Sequence, residues 1–342
     1  TIKDKGRSSV ATQISIVIPI YNAAATLRAA VESVLAQDVP DMELLLVDDG
    51  STDATAVLCH ALSEQDRRVR VLTQKNAGIC AARNRGIEAA AGEYIAFCDD
   101  DDEFLPGALP LLLEAARKTG ADVVRADYEL LRERADGSFQ EQQHPCGESC
   151  RLWKDGYEAF LQNCGPQFVW NALYRRAALK GLKFDERCRY GLEDFIFNMM
   201  LYAATDRAVY LPQVVYRHFE RRQSTSVCRS AQAFQGRIQA LGPWMAAEYA
   251  ALQARCAAQV QERVWTLRRT EAVTFLMHQL RDGRAPAALR RRAWRTLRAV
   301  LARYPGRPLD FLRIAGQNKK KTAALLLYQL HMQRLYDVLS GQ

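Results

Sequence analysis

Residues 14–53 read ISIVIPIYNAAATLRAAVESVLAQDVPDMELLLVDDGSTD, and their pattern indicates the class of fold. Ile14–Ile20 and Met42–Val47 are apolar, largely branched runs, as expected for strands that are buried on both faces. Between them, apolar residues recur at helical spacing over Thr26–Gln37. A strand, a helix and a second strand joined by short links predict a βαβ unit with parallel strands.

The alternation of strand and helix continues to about residue 100. Val69–Leu72 and Glu93–Cys98 have the composition of buried strands, and the alanine-rich stretch Ala77–Ala91 has that of a helix. Right-handed crossovers bring the carboxyl ends of parallel strands to one sheet edge, where such folds bind ligands. The sequence therefore predicts an α/β fold with a Rossmann-like, mostly parallel central sheet and flanking helices.

After residue 120 the pattern is mixed, and beyond residue 230 it is helical. Asp122–Ala126 is predicted to be a further strand, and Tyr128–Leu131 with Ser138–Gln142 a hairpin. Ala208–Leu211 and Val214–Tyr216 are predicted to be two separate short strands.

Composition and charge narrow the class of protein. The 342 residues are 49% hydrophobic and 25% charged, with a formal net charge of +8, which is typical of a globular chain and excludes a largely disordered one. No apolar run reaches the roughly 20 residues that a bilayer span requires, and the first residues lack a signal-peptide core. The nine cysteines are scattered without zinc-ligand spacing, so we expect reduced thiols and a cytoplasmic protein.

Two acidic segments follow predicted strands. Asp48 and Asp49 follow the second strand, and the four aspartates Asp99–Asp102 follow the fourth. Like charges gathered at one sheet edge repel, and a divalent cation such as Mg²⁺ or Mn²⁺ would offset that repulsion. The alternatives are a solvated acidic loop at Asp99–Asp102, a turn role for Asp49 and a helix-capping role for Asp53. The position of both segments after strands favours the cation site.

These segments together resemble a known family. The chain is similar to the family-two glycosyltransferases of the GT-A type, with the nucleotide-diphosphosugar transferase fold, in the segments ISIVIPIYNAAATL (14–27), ELLLVDDGSTD (43–53), KNAGICAARNRGIEAAAGEYIAFCDDDD (75–102), FVWNALYRR (168–176), FDERCRYGLEDFIFN (184–198) and YRHFERRQSTS (216–226). It resembles the bacterial enzymes of cell-surface and exopolysaccharide synthesis.

The resemblance also implies a division of the chain. We expect a tail at 1–13, a GT-A catalytic domain at 14–228 and a basic helical region at 229–342. Within the catalytic domain, residues 14–126 would bind the nucleotide sugar and residues 127–228 the acceptor.

The resemblance implies donor-binding roles at the strand ends. Tyr21 would stack on the nucleobase beside Pro19. Asp49 would accept a hydrogen bond from the base, usually uracil, while Asp48 supports its loop. The other donor-binding positions implied near the nucleoside and diphosphate are Asn22, Asn76, Gly78 and Arg83.

The resemblance places the metal in the aspartate run. Asp99 would face the ribose and help hold the ion, and Asp101 would bind a Mn²⁺ or Mg²⁺ cofactor. Asp100 stands where the family often has serine, so which pair of carboxylates coordinates the metal is left open.

A second acidic pair, Glu193-Asp194, matches the family's catalytic pair. The resemblance implies that Asp194 is the base, supported by Glu193, because an acceptor hydroxyl is a poor nucleophile until a carboxylate takes its proton. The alternative is that both residues only favour the positive end of a helix.

A basic segment follows the last predicted strand. The family often closes such a segment over the donor diphosphate, which implies that Arg217 and Arg222 bind phosphate and that His218 touches the phosphate or the metal. Solvated surface arginines are the alternative. Trp170 fits either the core or a platform for the acceptor.

The carboxyl-terminal region is rich in arginine and lysine with interleaved aromatic residues. Basic helices of this kind lie on anionic membrane surfaces in some proteins and are plain solvated faces in others. We expect peripheral contact at the inner face of the cell membrane, because many relatives use lipid-linked acceptors. The basic residues are Arg290, Arg291, Arg292, Arg295, Arg298, Arg303, Arg307, Arg313 and Lys319–Lys321, and the aromatic residues are Trp294, Phe311, Tyr328 and Tyr336.

The predicted function is inverting, metal-dependent transfer of a sugar from a nucleotide-diphosphate sugar, favoured to be a UDP-sugar, to a hydroxyl of a glycan or lipid-linked acceptor in cell-surface polysaccharide synthesis. A sugar nucleotidyltransferase is the first alternative, but PIYNAAAT after the first strand lacks the glycine-rich phosphate loop of that class. A nucleic-acid-binding protein is the second, and it leaves the acidic strand ends unexplained. A retaining transferase is the third, although the acidic pair fits a base better than a nucleophile.

Overall fold

A computed structural model describes residues 12–144, 150–162, 168–222, 230–280, 286–307, 310–313 and 319–330. Three features named above lie outside these residues. They are positions 1–11 of the predicted tail, the QSTS end of the 216–226 segment and Tyr336. The described residues belong to two compact units, one made of 12–184 with 204–221 and the other of 185–203 with 222–330. The boundaries at 126 and 228 inferred from the resemblance stay predictions.

The first unit is built on one sheet, in which the described residues form ten strands. They are β1 (Ile14–Ile20), β2 (Met42–Asp48), β3 (Val69–Thr73), β4 (Tyr94–Phe97), β5 (Glu103–Phe104), β6 (Val123–Glu133), β7 (Phe139–His144), β8 (Arg151–Trp153), β9 (Ala172–Arg175) and β10 (Ala208–Glu220). The helices between them are α1 (Leu27–Leu35), α2 (Thr55–Gln65), α3 (Ile79–Ala89), α4 (Ala108–Thr119) and α5 (Gly156–Gln162), and a 3-10 helix spans Arg176–Leu179.

The sheet order is β3-β2-β1-β4-β9-β6-β10-β5, with β7 beside β6 and β8 beside β10. β1 runs parallel to β2 and β4, β2 parallel to β3, and β6 parallel to β10, while β9 is antiparallel to both β4 and β6. The predicted α/β class with a central sheet and flanking helices is confirmed. The sheet is mixed rather than mostly parallel, because the described strands make four parallel and five antiparallel pairings. All seven residues of β1 are buried, as its largely apolar sequence indicated.

Two strands are longer than predicted. β6 is continuous through Asp127, whose buried carboxylate accepts a hydrogen bond from Tyr210 Oη at 2.6 Å and is thereby satisfied inside the sheet. β10 is also continuous, but its register with β6 shifts between Leu211 and Val214. A bulge there accommodates Pro212, which has no N–H to donate to a ladder.

Helix α3 lies very close to β1 because Gly86 has no side chain. A Cβ atom at Gly86 would lie 2.3 Å from Cγ1 of Val17, well inside contact distance. The close approach brings the amino-terminal half of α3, which carries Arg83, near the sheet edge where β1 and β4 end.

The second unit is helical where it is described. Its helices are α6 (Glu193–Ala204, which ends one residue into the first unit), α7 (Ala231–Arg255), α8 (Ala258–Leu280), α9 (Ala287–Leu301) and α10 (Lys319–Gln329), with a 3-10 helix at Asp310–Arg313. Glu248 is fully buried in α7, where it accepts from Trp244 Nε1 at 3.1 Å and pairs with Arg268 at 3.2 Å. Within the described residues, every helix is too short or too polar to traverse a bilayer.

Candidate functional site

The loops that follow β1, β2 and β4 meet at one edge of the sheet. The backbone N–H of Tyr21, after β1, donates to Asp100 Oδ2 at 3.1 Å in the loop after β4. The next N–H, of Asn22, donates to Ser51 Oγ at 3.0 Å in the loop after β2. The two acidic segments predicted from the sequence therefore flank one short turn at the end of β1.

Asn22 and Gly50 hold this turn in place with left-handed backbone. Asn22 has φ 54°, which asparagine tolerates, and its Oδ1 accepts the Thr52 N–H at 2.8 Å. Gly50 has φ 74°, and a Cβ there would lie 2.9 Å from the backbone nitrogen of Asn76. Only glycine fits this close approach, so the 48–53 loop and the segment before α3 are fixed against each other.

Asp48 and Asp49 are both buried and both bind backbone groups. Asp48 Oδ1 accepts from the Ser51 N–H at 2.9 Å, which is the loop-supporting role predicted for it. The Asp49 carboxylate accepts from the N–H groups of Ala77 at 2.9 Å and Gly78 at 2.7 Å and from Gln74 Nε2 at 2.7 Å. Asp49 thus orients the turn that begins α3, and its hydrogen bond to a nucleobase stays a prediction.

The side chains assigned to the nucleobase differ in exposure. The Tyr21 ring is 49% exposed, and Asn76 is exposed on the neighbouring segment. Pro19 is buried in β1, one residue before the strand ends and the turn begins. An exposed aromatic ring beside exposed polar groups at a parallel-strand edge is a surface on which a base could stack.

Asp53 accepts the first N–H of α2, from Thr55, at 3.0 Å, close to the capping role predicted for it.

The first aspartate of the run is paired with an arginine from α3. Arg83 is 1% exposed, and its Nη2 lies 2.9 Å from Asp99 Oδ1. The guanidinium also lies over the Phe184 ring, 5.3 Å from its centroid. A buried guanidinium next to a partly exposed carboxylate makes a fixed positive charge at the site.

The two middle aspartates resist ionisation. Burial raises the pKa of Asp100 well above its usual range, and Asp101 next to it adds to the rise. Burial, followed by the charges of Asp102 and Asp99, raises the pKa of Asp101 to about 7, although Arg221 opposes the rise. Several carboxyl groups therefore lie close together in the site, and a bound cation would stabilise their ionised forms.

The fourth aspartate is fully buried and binds the end of β10. Asp102 Oδ2 lies 2.8 Å from His218 Nδ1 and accepts from Tyr216 Oη at 3.1 Å, and Oδ1 accepts the Phe219 N–H at 2.8 Å. Burial lowers the pKa of His218, but the hydrogen bond and charge of Asp102 outweigh it and raise the pKa to about 9. No site role was predicted for Asp102 or Tyr216. The alternation of side chains along β10 could have placed positions 216 and 218 on one face.

The arginines at the end of β10 and just after it have different partners. Arg217 forms ion pairs with Glu129 and, at 3.3 Å, with Glu103. Two carboxylates of the sheet therefore neutralise its charge. Arg221 reaches the aspartate run and lies 3.1 Å from Asp101 Oδ2. Arg222 is exposed at the end of the described segment. The diphosphate contacts of Arg217 and Arg222 stay predictions.

The three predicted metal ligands do not converge on one point. Within the described residues, no three acidic, histidine or cysteine side chains are grouped so that they could hold an ion by themselves. Asp99 faces Arg83, Asp101 faces Arg221, and His218 faces Asp102. Ions such as Mg²⁺ and Mn²⁺ bind one or two carboxylates and complete their coordination with phosphate oxygens and water. The carboxylate of Asp101, with its acidic neighbours, fits that preference.

The second acidic pair lies in the second unit, at the start of α6. Glu193 and Asp194 occupy the first turn, where the helix dipole favours negative charge, and Asp194 is buried. The two residues before them have positive φ, 120° at Gly191 and 71° at Leu192. Left-handed backbone at a leucine is strained, and such strain persists where the surroundings demand it, often at functional sites.

Trp170 belongs to the core rather than to an acceptor platform. It is 2% exposed and stacks on Tyr216 at 4.5 Å and on His218 at 5.2 Å between ring centroids.

The apolar side of α9 is also covered. Ala293, Trp294, Leu297 and Leu301 are buried, whereas Arg291, Arg292 and Arg295 are exposed. Trp294 is therefore not available to enter a lipid layer.

Comparison with known proteins identifies a family. Residues 15–182 match the family model described as glycosyl transferase family 2. The chain is 34% identical over 231 residues to glycosyltransferase GlyG of Streptococcus pneumoniae, which covers 64% of this chain and 73% of that protein.

Two further relatives are longer than the matched part. Glycosyltransferase GlyA of Streptococcus pneumoniae is 29% identical over 223 residues, 63% of this chain and 31% of that protein. EpsJ of Bacillus subtilis is 29% identical over 228 residues, 62% of each protein. The chain thus spans about a third of GlyA and about three fifths of EpsJ.

A solved structure shares the fold. The crystal structure of residues 1–349 of S. aureus TarS in complex with UDP-GlcNAc matches with a TM-score of 0.71 and 18% identity, over 94% of this chain and 92% of that one. The same protein in complex with UDP matches with a TM-score of 0.67 and 17% identity, over 94% of this chain and 91% of that one. The architecture is that of a GT-A glycosyltransferase.

Proposed function

This chain belongs to glycosyltransferase family 2, and from that membership we propose that it transfers the sugar of a nucleotide-diphosphate sugar to an acceptor hydroxyl with inversion at the anomeric carbon. The observation that carries the proposal is the meeting of the loops after β1, β2 and β4. They combine the exposed Tyr21 ring with the partly exposed Asp99–Asp101 run at the edge where parallel sheets bind ligands.

The donor is proposed to be a UDP-sugar. TarS, which shares the fold, has been crystallised with UDP and with UDP-GlcNAc. In this chain Tyr21 would stack on the base, with Pro19, Asn22, Asp48 and Asp49 shaping its pocket. The positions proposed to surround the ribose and diphosphate are Asn76, Gly78, Arg83, Asp99, Asp100, Arg217 and Arg222.

A divalent cation, Mn²⁺ or Mg²⁺, is proposed to accompany the donor, held by Asp101 together with Asp99. When bound, such an ion neutralises the charge that grows on the leaving nucleotide diphosphate. Arg83 and Arg221, which face these two carboxylates, would hold the acidic loop in shape and add positive charge near the diphosphate.

Asp194 is proposed as the base that takes the proton of the acceptor hydroxyl as it attacks, with Glu193 in support. The attack breaks the bond between the anomeric carbon and the diphosphate oxygen, and the nucleotide diphosphate leaves with the bonding electrons. One in-line displacement inverts the anomeric carbon, by the logic of an inverting glycosidase with a sugar hydroxyl in place of water. Asp194 is buried at the start of a helix where the backbone is strained, which supports a catalytic role beyond helix capping.

The acceptor is proposed to be a glycan or a lipid-linked glycan in cell-surface polysaccharide synthesis, at the inner face of the membrane. Residues 222–342 contain 21 lysine and arginine residues and only 6 acidic ones. Because the apolar side of α9 is covered, we propose contact with anionic lipid headgroups through the exposed arginines rather than by insertion.

The test is a panel of nucleotide sugars incubated with the protein and Mn²⁺. Slow release of UDP from one UDP-sugar, abolished by EDTA, is the expected result. The glycan product formed with an added acceptor would have the opposite anomeric configuration to the donor by NMR. Release of pyrophosphate from a nucleoside triphosphate and a sugar phosphate would instead indicate a nucleotidyltransferase and overturn the proposal.

A further inference from the structure

We infer that helix α7 positions the proposed catalytic base, and that Gly236 and Arg237 are the positioning residues that hold the turn in front of Asp194. The inference rests on the proposed function, because it takes Asp194 to be the base. It goes beyond that function, since neither the resemblance nor the proposal gives any residue of α7 a part in catalysis.

The turn that leads into α6 has an unusual backbone. Gly191 and Leu192 both have positive φ, 120° and 71°. A leucine in this region is strained, so the conformation persists only where neighbouring groups hold it. The Leu192 carbonyl oxygen then accepts the Ile196 N–H at 2.9 Å, which begins the helix. Because Asp194 lies between Leu192 and Ile196, the turn sets the position of its backbone.

The first contact of this turn with α7 is made by the side chain of Tyr190. A Cβ atom at Gly236 would lie 2.3 Å from Cδ2, 3.0 Å from Cγ and 3.2 Å from Cβ of Tyr190. The ring therefore lies directly against the helix backbone, and only glycine leaves room for it. Gly236 is buried in the interior of α7, where glycine is otherwise an unfavourable residue.

The second contact holds the backbone of the same tyrosine. Arg237 Nε donates to the Tyr190 carbonyl oxygen at 3.2 Å. The guanidinium is oriented by Gln279 of α8, whose Oε1 accepts from Nη1 of Arg237 at 3.2 Å. Two consecutive residues of α7 thus fix the side chain and the carbonyl group of Tyr190, immediately before the positive-φ turn begins.

Helix α6 also packs on α7 just after the base. Phe195 meets Trp244 edge to face, with ring centroids 5.9 Å apart and ring planes at 85°. Trp244 is buried and donates from Nε1 to the fully buried Glu248 at 3.1 Å. Helix α7 therefore contacts the chain both before and after the Glu193-Asp194 pair, and all of these contacts lie within the second unit.

The position of a base decides its efficiency. A carboxylate must lie within about 3 Å of the hydroxyl whose proton it takes, and a misplacement of ~1 Å can cost about 100-fold in rate. A shift of Tyr190 would displace Asp194 without altering any residue proposed to bind the donor. Changes at Gly236 and Arg237 should therefore lower kcat and leave UDP affinity unchanged.

The experiment measures transfer kinetics, and UDP affinity by calorimetry with Mn²⁺. Gly236→Ala should lower kcat by about 10- to 100-fold, because the added methyl group displaces Tyr190. UDP affinity and the KM for the donor should each stay within about twofold of wild type. Gly242→Ala is the control, since it makes the same change in α7 with its nearest atom at 3.9 Å and should keep wild-type kcat.

Arg237→Met tests the second contact. It keeps most of the side-chain volume but has no group that can donate to the Tyr190 carbonyl oxygen, so kcat should fall about fivefold, within the range of one hydrogen bond. Arg237→Lys should retain most of the wild-type kcat, because the ammonium group can still donate. Arg237→Met also carries the test if Gly236→Ala does not fold.

A double-variant cycle separates positioning from a general loss of structure. In an Asp194→Asn background the base is already absent, so Gly236→Ala or Arg237→Met should lower the remaining activity by no more than about twofold. A change that only disturbs the fold would lower activity by the same factor in both backgrounds. Urea unfolding of each variant verifies that the assayed protein is folded.

Three outcomes would overturn the inference. They are wild-type kcat in folded Gly236→Ala and Arg237→Met proteins, equal losses in the wild-type and Asp194→Asn backgrounds, and a loss of activity that weaker UDP binding accounts for. Full activity of Asp194→Asn would instead refute the base assignment, and failure of the wild type to transfer any sugar would refute the proposed function; in either case this inference falls with it.

Discussion

At the scale of the residue, the aspartates near the sheet edge differ in the side chains that they contact. Asp99 faces Arg83, Asp101 faces Arg221, and Asp102 is enclosed with His218. Asp194 lies apart from them in sequence, at the start of α6. Substitution of single carboxylates should therefore give separable effects on donor binding, metal binding and chemistry.

Asp194→Asn should lower kcat by a factor of about 10² to 10⁴, the usual contribution of a positioned base. UDP affinity should stay within about twofold of wild type, since the proposed role begins only when an acceptor hydroxyl attacks. Transfer assays and UDP calorimetry on one preparation measure both. Glu158→Gln, which changes an exposed first-turn carboxylate of α5 with no proposed role, is the matched control. Loss of UDP binding together with activity would make Asp194 structural.

Asp101→Asn should remove the metal-dependent part of UDP binding, by more than about tenfold, because the amide keeps the shape but not the charge of the carboxylate. UDP affinity measured in EDTA should change little. Asp53→Asn is the control, since Asp53 accepts N–H groups at the same edge and asparagine caps helices equally well. Equal metal dependence in wild type and Asp101→Asn would refute the assignment.

The pKa of Asp101 predicts a pH dependence. In the metal-free fold its pKa is about 7, whereas an unfolded aspartate loses its proton near pH 4. Between these values the folded state binds more protons than the unfolded state, so the stability contributed by this group falls as pH rises.

A cation needs the ionised form, so Mn²⁺-dependent UDP affinity should rise through the same interval and level off above about pH 7. Titrations from about pH 5 to 8 measure this, and the slope should disappear in Asp101→Asn. A flat profile in the wild type would contradict the role of Asp101.

At the scale of the element, the packing of α3 on β1 positions one side of the proposed donor site. Gly86→Ala would place a Cβ 2.3 Å from Val17 Cγ1, so α3 must move. The expected cost is about 1–3 kcal/mol in the free energy of unfolding. UDP affinity should weaken as well, because Gly78 and Arg83 move with α3.

Gly242→Ala in α7 is the matched control for this change. Its nearest atom would be Val300 Cγ2 at 3.9 Å. Helix propensity favours alanine, whereas Pro243 disfavours a Cβ on the residue before it, so stability should change by less than about 1 kcal/mol. Urea unfolding of both variants measures the difference. A Gly86→Ala protein as stable as the wild type would show that α3 can shift without cost.

At the scale of the whole molecule, charge is unevenly distributed along the chain. Of the 47 lysine and arginine residues, 21 lie in residues 222–342, which hold only 6 of the 39 acidic ones. Arg291, Arg292 and Arg295 are exposed on α9, and among the described residues no carboxylate forms an ion pair with them. Like charges three and four residues apart destabilise a helix, and an anionic surface would offset that cost.

Replacing Arg291, Arg292 and Arg295 with glutamine should reduce binding to vesicles rich in anionic phospholipid by about 100-fold, from about 1 kcal/mol for each arginine near such a surface. Neutral vesicles should bind neither protein, and high salt should abolish the difference. Glutamine at Arg28, Arg67 and Arg134, which are exposed in the first unit, makes the same change in net charge. Equal loss in both triple variants would mean that only net charge matters.

The class of fold, and the sheet edge that carries the proposed donor site, follow from local patterns in the sequence. Largely apolar runs such as Ile14–Ile20 and Met42–Val47, which are short and rich in branched residues, favour strands in a sheet that is covered on both faces. Parallel strands with right-handed crossovers then bring their carboxyl ends, with Asp48 and Asp99, to one edge. These are local and topological constraints, and they can be read without knowing any contact between distant residues.

The hydrogen-bond and ion-pair partners of the polar groups at that edge depend on the tertiary structure. The enclosure of Asp102 by Tyr216 and His218, more than a hundred residues away, depends on how β10 pairs with β5 and β6. The continuity of β6 through Asp127 likewise needed Tyr210 to satisfy a buried carboxylate. Hydrogen bonds between distant segments carry no local signature, so the division of four consecutive aspartates between exposed and buried positions became visible only in the folded chain.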